Sequence, residues 1–540
     1  MTQETATLRA ADVLARRLYE AGCRRAFGMP GGEVLTLVDA LEKAGIAFTL
    51  VKHENAGGFM AEGAHHVDHA PAILVATVGP GAMNGVNVVA NAEQDRVPML
   101  VLTGSVDDHE AQTYTHQVLD HRAVFAPITK ATFTMSAQAA GVIADKALAI
   151  ATEGRAGPVH IDVPISVADA PAHATGSRRA NPSAVMPEPG DLAVARAWLA
   201  EAVRPVIVAG LDVLYDDSVD ALRAFAEAMG APVVTSYKAK GVLPEDHPLS
   251  LGGAGLSPLA DQTLLPLLAD ADLIVGVGYD PIEMRTGWRD PWDPAKTRVI
   301  DIHAAPNHHY MHQASLSFLA HTGATLTALG QDRSSRGTWP GGRLAEAKAA
   351  LSAAFPNDDE WGPAAVIDTC RATLPPSTIA TVDSGAHRIL LSQMWRCPAP
   401  RTLLQSSALC TMGCAVPLAI GAKLAAPDVP VVGFSGDAGF LMVAGELATA
   451  VELGLAPIFV VFVDRSLALI ELKQRQRQLP NAGVDFAGHD YAAIGRAFGG
   501  HGVAVRDRAS LQDALEQALV ADRFTLIAAE IEPHSYDGRI

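Results

Sequence analysis

Two carboxylates carry the clearest chemical signal in the chain. The run VPVVGFSGD has the composition of a buried strand and ends in Gly436-Asp437-Ala438-Gly439; the next such run, PIFVVFV, leads to Asp464, 27 residues beyond Asp437. Apolar strands separated by a helical stretch lie parallel in one sheet, so both acids emerge at its carboxyl rim, where open α/β sheets bind ligands. Paired acids at such a rim suit Mg²⁺, which takes one or two protein carboxylates and completes its octahedron with water and phosphate oxygens. A helix amino terminus after Gly439 would offer backbone N–H groups to an anion, so the expected ligand is a diphosphate. An Asp at a strand-to-helix turn also caps helices, and the turn alone does not decide between the two roles.

A third carboxylate, Glu54, follows the strand-like run IAFTLVKH some 380 residues earlier and opens the helical stretch ENAGGFMAEGAHH. Alone, it reads as a first-turn Glu placed favourably against the helix dipole. The elements around these acids form three modules. In the first, helical runs from Thr7 to Ala21 and VLTLVDALEKAG alternate with RRAFGMP, IAFTLVKH, PAILVATVG and VPMLVLTGS. Asp169–Gly190 carries no apolar period and reads as a linker. A second module then holds RPVIVAG, APVVTSY, ADLIVGVG and TRVIDIH; after a break at Asp332–Gly342, the third holds STIATVDSG, the two acid-bearing strands and FTLIAAEIE. The expected architecture is α/β, with three doubly wound parallel-sheet domains at 1–168, 190–331 and 345–540.

Composition narrows the function. Forty-one basic residues against 59 acidic ones leave a net charge of −18 with no block of clustered Lys and Arg, which argues against nucleic acid as a partner. The five cysteines are an odd number without paired zinc spacing, and the amino-terminal residues are polar. Reduced thiols, no membrane span and a cytoplasmic location are expected. His65-His66-x-x-His69 and His308-His309-x-x-His312 place imidazoles one helical turn apart, but without a convergent third ligand such pairs read as solvated faces.

Taken together, Glu54 and the segment from Gly436 to Asp464 resemble thiamine diphosphate enzymes, whose motif runs Gly-Asp-Gly, a spacer, then Asn-Asn or Asn-Asp. Ala438 stands where the second glycine is usual and Val463 where the first Asn is usual, so Ala438 must accept φ < 0. The resemblance implies thiamine diphosphate and Mg²⁺ as cofactors, with Asp437, Asp464 and the backbone carbonyl of Ser466 as metal ligands. Glu54 would hydrogen-bond the pyrimidine ring, shifting it to the imino tautomer that removes the thiazolium C2 proton. Gly79-Pro80-Gly81-Ala82-Met83-Asn84 resembles the family's Gly-Pro-Gly-x-x-Asn turn, and Pro30-Gly31-Gly32 its first-strand turn. Met412 takes the place of the apolar wedge between the cofactor rings, a packing task that suits a thioether. Cys410 would lend its carbonyl to the pyrimidine amino group. Gly385, Ala386 and His387 would touch the diphosphate, alongside Gly436 and Gly439. The three modules would then be pyrimidine-binding, central and diphosphate-binding.

Within that family the chain resembles the acetolactate synthases. Gln117 and Lys130, in HQVLDHRAVFAPITK, match that group's catalytic Gln and Lys in separation, and Leu467-Ala468-Leu469-Ile470 resembles the start of its substrate-side helix. Gly278-Tyr279-Asp280-Pro281-Ile282-Glu283 resembles the catabolic kind, so no FAD is expected. The implied reaction is loss of CO₂ from a small 2-oxo acid, pyruvate by the resemblance, and carboligation to a second carbonyl, in a homodimer or homotetramer with sites at the dimer interface. His116 and Val118 replace an apolar aromatic and an acid, which alters the polarity of the acceptor side. A simple 2-oxo acid decarboxylase or a sulfoacetaldehyde acetyltransferase on the same scaffold is the alternative.

Overall fold

Strands such as Ile458–Val463 are apolar at every position, which is stable only where helices cover both faces of a sheet, and this strand is buried throughout. The computed structural model describes residues 8–173, 184–307, 309–331, 337 and 339–540. It contains three six-stranded sheets, each parallel at every strand pair. The first runs, across the sheet, Ala47–Leu50, Arg25–Met29, Ala72–Ala76, Met99–Ser105, Val159–Pro164, Ala131–Thr134. The third repeats that topology with Leu403–Gln405, Ile379–Val382, Val431–Gly436, Ile458–Val463, Thr525–Glu530, His501–Val505. The central sheet differs, running Ser250–Gly253, Val233–Thr235, Pro205–Ala209, Leu273–Val277, Arg298–His303, Leu316–Leu319. Its order, 3-2-1-4-5-6 in chain sequence, is that of dinucleotide-binding folds, with the switch point between Pro205–Ala209 and Leu273–Val277.

The first and third modules are held face to face by two helices, Glu54–Asp68 and Ala415–Ala425. A Cβ on Gly63 would lie 2.3 Å from the Leu418 carbonyl oxygen, and one on Gly421 would lie 1.9 Å from that of Met60. The two backbones touch, so both positions require glycine. Phe59, Met60, Leu418 and Ala419 belong to one apolar core shared by the two modules. Lys238 of the central module, buried, pairs with Glu62 at 3.1 Å and Asp95 at 2.8 Å, and Asp95 accepts the Ser407 and Ala408 N–H groups at 2.9 and 3.0 Å. One buried ion cluster thus ties all three modules together.

Several elements depart from expectation. The first helix spans Ala10–Glu20, because Leu8–Arg9 pairs with Pro171–Ala172 as a short antiparallel ribbon. That ribbon lies inside the expected linker at Asp169–Gly190, of which 174–183 lie outside the described residues; in the second linker 332–336 and 338 do so too. The stretch FLMVAGELATAVELG is not one helix: Asp437–Leu441 and Glu446–Glu452 are separate, and the first begins at Asp437 rather than after Gly439. The solvated-face reading of the first histidine pair is also corrected. His65 and His66 are buried against the central module, His65 stacks on Tyr215, and burial pushes its imidazole down to about 3. The sequence pattern of one helix could not show a covering domain. His308 lies outside the described residues, and His312 binds the Trp288 carbonyl oxygen at 2.6 Å. Among the described residues, no helix is long and apolar enough to cross a membrane.

Candidate functional site

Strand ends of the third sheet converge on a small enclosed pocket of about 120 Å³. Its wall combines Gly385, Ala386 and His387, the segment Gly436–Gly439, Asp464, and Ser466–Ile470, with Met412 at one end. Asp437 and Asp464 are both buried, at 2% and 9% exposure. Asp437 accepts the Ala438 N–H at 2.8 Å through one oxygen and the Arg465 N–H at 2.8 Å through the other. Arg465 accordingly adopts φ 61°, a left-handed conformation at the hinge between the two acids. Asp464 accepts the Ser466 N–H at 3.1 Å. Burial raises both carboxyl groups; Asp464 is pushed up to about 7, first by burial and then by the Asp437 charge. Two buried acids that oppose each other's ionisation form a donor set for a cation, and hard carboxylate oxygens suit Mg²⁺. Ala438 lies inside the helix Asp437–Leu441 and is absent from the residues with positive φ, so alanine replaces glycine there without strain.

Sequence reasoning missed a third acid at this rim. Asp383 is fully buried and accepts the Ser435 hydroxyl at 2.8 Å, the Gly413 N–H at 2.6 Å and the His387 Nε2–H at 2.8 Å. It orients His387 and holds the Met412 loop onto the pocket. A Cβ on Gly439 would lie 2.1 Å from Asp383 Oδ2, so the carboxylate can pack against this turn only because that residue is glycine. The signal was available: TVDSGAHR places an Asp at the end of a strand and before a helix, as at Asp437. Tyr536, on the carboxyl-terminal turn, also lines the pocket and was missed, since nothing local marks it.

Met412 is also part of a second, larger groove of about 1120 Å³ between the third and first modules, bordered by His53, Asn55, Asn84, Cys410 and Glu446. Glu54 lies just behind this surface, 3% exposed, where its carboxylate accepts the Asn84 amide at 2.9 Å. The residue heads its helix, with the His53 ring capping the Asn55 N–H at 3.2 Å. The Gly79–Asn84 turn stands beside it, and Gly81 is tight against both Thr77 and Glu54. Thr77 in turn donates to Glu33 at 2.6 Å, filling the space that a Cβ on Gly31 would need beside Pro30. Gly79 (φ 68°) packs on Gln117 (φ 58°), and its N–H donates to His121 Nε2 at 3.1 Å. His121 is fixed from below by Asp162 at 2.9 Å, so it presents a bare nitrogen to the turn. Cys410 (φ 52°) receives a hydrogen bond on its sulfur from Arg388 at 3.0 Å, and Arg388 is anchored on Glu283 at 2.5 Å. Left-handed non-glycine residues at 117, 410 and 465 therefore cluster on the loops of this region, as strained backbone commonly does at functional sites.

Lys130 does not join them. It precedes the edge strand Ala131–Thr134 at the amino end of the sheet, the rim opposite Glu54 and Gln117, and its Nζ donates to the Glu153 carbonyl at 2.8 Å. The spacing of Gln117 and Lys130 along the chain spans a connection from one rim to the other, so within one chain the two side chains do not meet.

Comparison with known proteins shows the family. Residues 8–124 match the family described as thiamine pyrophosphate enzyme, N-terminal TPP binding domain; 192–329 match the central domain and 383–529 the C-terminal TPP binding domain. The acetolactate synthase of Bacillus subtilis (strain 168) is 28% identical over 97% of this chain and 93% of its own. The probable 2-ketoarginine decarboxylase AruI of Pseudomonas aeruginosa is 32% identical over 96% of this chain and 92% of its own. The catabolic acetolactate synthase of Raoultella terrigena is 26% identical over 97% and 95%.

Proposed function

The chain belongs to the thiamine pyrophosphate enzymes, and on that premise we propose that it decarboxylates a small 2-oxo acid such as pyruvate and joins the remaining fragment to a second carbonyl, in the manner of an acetolactate synthase. The observation that carries the reading is the pair of buried, mutually opposed acids Asp437 and Asp464 in a pocket that continues past Met412 toward Glu54. Asp437, Asp464 and Ser466 would hold Mg²⁺; Gly385–His387 and Gly436–Gly439 would receive the diphosphate, with Leu467, Ala468 and Leu469 closing its outer side. When bound, thiamine diphosphate supplies a carbon nucleophile and an electron sink for CO₂ loss. Glu54 would hold a proton against the pyrimidine ring, Asn84 fixes its carboxylate, Cys410 would accept from the ring amine, and Pro30 and Gly31 shape the turn behind. Gln117, on the exposed loop, would orient substrate; Lys130 is not assigned a role.

We further propose a homodimer or homotetramer. Met442 on the groove, and Val118 and Leu119 beside Gln117, are exposed apolar side chains on surfaces that a second copy would cover. No flavin is proposed, since Gly278–Glu283 resembles the catabolic kind; at that segment a Cβ on Gly210 would lie 2.3 Å from the Gly278 carbonyl, and Arg96 of the first module pairs with Asp212, at 2.6 Å, and Asp280. The purified protein should be colourless, and FAD released on denaturation would overturn this. Five unpaired cysteines support a cytoplasmic location.

The test is incubation with thiamine diphosphate, Mg²⁺ and a panel of 2-oxo acids, with product identification. Acetolactate from pyruvate is expected; absence of CO₂ release from every acid would overturn the reading. A decarboxylase reading has its own support in the relative at 32% identity; release of the aldehyde without carboligation would favour it.

A further inference from the structure

The diphosphate pocket has one wall that comes from outside its sequence motifs. After the last strand, Thr525–Glu530, the chain turns back and places Tyr536 among the pocket residues, at 3% exposure. Its ring packs in the core of the third module, beside Leu469 at the start of the helix Ala468–Gln476. Its hydroxyl makes no hydrogen bond among the described residues and is not sealed among buried atoms, which leaves it available to the pocket that the residue lines. The turn is built rather than loose. Ile531 N–H donates to the Val463 carbonyl at 3.1 Å, Asp537 N–H to the His534 carbonyl at 2.9 Å, and Arg539 N–H to the Tyr536 carbonyl at 3.0 Å. Asp537 takes a two-pronged ion pair from Arg475, at 2.9 and 2.6 Å, and Arg475 also reaches Glu471 at 2.7 Å on its own helix.

Resting on the thiamine diphosphate reading above, we infer that Tyr536 is a diphosphate-binding residue: its hydroxyl donates to a phosphate oxygen, and the Arg475–Asp537 clamp holds it in place. A phenol is both donor and acceptor, but a diphosphate oxygen only accepts, so the proton lies on Tyr536 in the contact. Among the pocket's side chains His387 is already committed to Asp383 through Nε2, and the acids are metal donors. Ser466 gives its hydroxyl to Asp485 at 2.7 Å, so Tyr536, with Ser384, supplies a neutral donor on a wall that otherwise carries two carboxyl groups. Because the clamp joins the tail to the helix that lines the pocket, an occupied pocket also immobilises the carboxyl terminus.

Calorimetric titration of the full-length protein tests this with three probes in the presence of Mg²⁺: thiamine diphosphate, inorganic pyrophosphate, and thiamine. Tyr536→Phe keeps the ring and should weaken thiamine diphosphate and pyrophosphate alike, by about tenfold, as expected for a hydrogen bond to a charged group, while leaving thiamine unchanged. Asp537→Asn, which loosens the clamp without entering the pocket, should weaken both phosphorylated probes by about threefold. In the wild type, thiamine diphosphate should slow carboxypeptidase trimming of the terminus, and in Tyr536→Phe this protection should shrink. Equal pyrophosphate affinity in wild type and Tyr536→Phe overturns the contact, even if thiamine diphosphate binding falls. A wild type that binds no thiamine diphosphate overturns instead the functional reading on which it rests.

Discussion

The first and third modules share one strand order, yet the carboxyl rims of their sheets are opposite in character. The third brings Asp437 and Asp464 together in one small pocket, with Asp383 buried behind it, and leaves both pocket acids with raised carboxyl groups. The first keeps its acids apart, Glu33 held by Thr77, Asp162 by His121, and Glu54 by Asn84 behind a wider groove. On the proposed reading the same scaffold serves two tasks: one rim would hold a cation and so bind, the other would act on a proton. What differs is the number of acids brought together, which is set by the loops and not by the sheet.

Breaking the binding rim should have the largest effect. Asp437→Ala removes the acid that organises both Ala438 and Arg465, and should weaken Mg²⁺-dependent thiamine diphosphate binding by more than about a hundredfold, with turnover lost. Asp464→Asn keeps an oxygen ligand and should cost no more than about tenfold. Calorimetry compares the two, and equal losses would show that an amide oxygen cannot stand in for the Asp464 carboxylate. Breaking the acting rim should separate rate from affinity. Glu54→Gln should lower kcat by roughly 10²–10⁴-fold, in the range of acid–base catalysis, while the cofactor dissociation constant shifts by less than about threefold. A Glu54→Gln variant that cannot bind cofactor would abolish the division between the rims.

Those two rims were legible in the sequence to different degrees, for a physical reason. Asp437, Asp464 and the strand ends that carry them are local: an apolar run, a glycine turn and an acid fall close together in the chain, and the parallel sheet fixes where they emerge. Asp383 carries the same local signal and went unread because only two acids were needed to explain a metal. Tyr536 has no such signal, since its ring joins the core of the third module from a turn beyond the last strand, tied to a helix by the pair Arg475–Asp537, 62 residues apart. His65 and His66 went the same way: a helix facing solvent and a helix facing another domain show one pattern until the domain is known. Lys130 shows what chain separation leaves open, because the connection from Gln117 crosses from one rim of the sheet to the other within a single chain.

Mixing sharpens the comparison further. If each site joins the first module of one chain to the third module of another, chains carrying Glu54→Gln and chains carrying Asp437→Ala form mixed dimers with one intact site and one doubly damaged site. Random exchange at equal concentrations should restore about a quarter of all sites, measured as CO₂ release after exchange has been shown with differently tagged chains. Proven exchange without recovered activity means that each chain builds its site alone, across its own groove past Met412.

The smallest effect separates the rims by their response to pH. Asp464 is held near 7 in the folded protein, above its unfolded value of about 3.9. A raised acid stabilises the fold while it is protonated and loses that contribution as pH climbs from the unfolded to the folded value, so in the metal-free protein Asp464 should cost stability between about pH 4 and pH 7. Metal binding works in the other direction, because a ligand carboxylate must first lose its proton. Saturating Mg²⁺ should therefore raise Tm by about 1–3 °C near pH 8, a modest shift for a chain of this size, and by less near pH 6. In Asp464→Asn the titrating group is gone, and the Mg²⁺-dependent shift should vary less across that interval; in Glu54→Gln it should match the wild type. Thermal scans of the three proteins with and without Mg²⁺ measure this directly. A pH dependence that survives in Asp464→Asn and vanishes in Glu54→Gln would reverse the roles of the two rims.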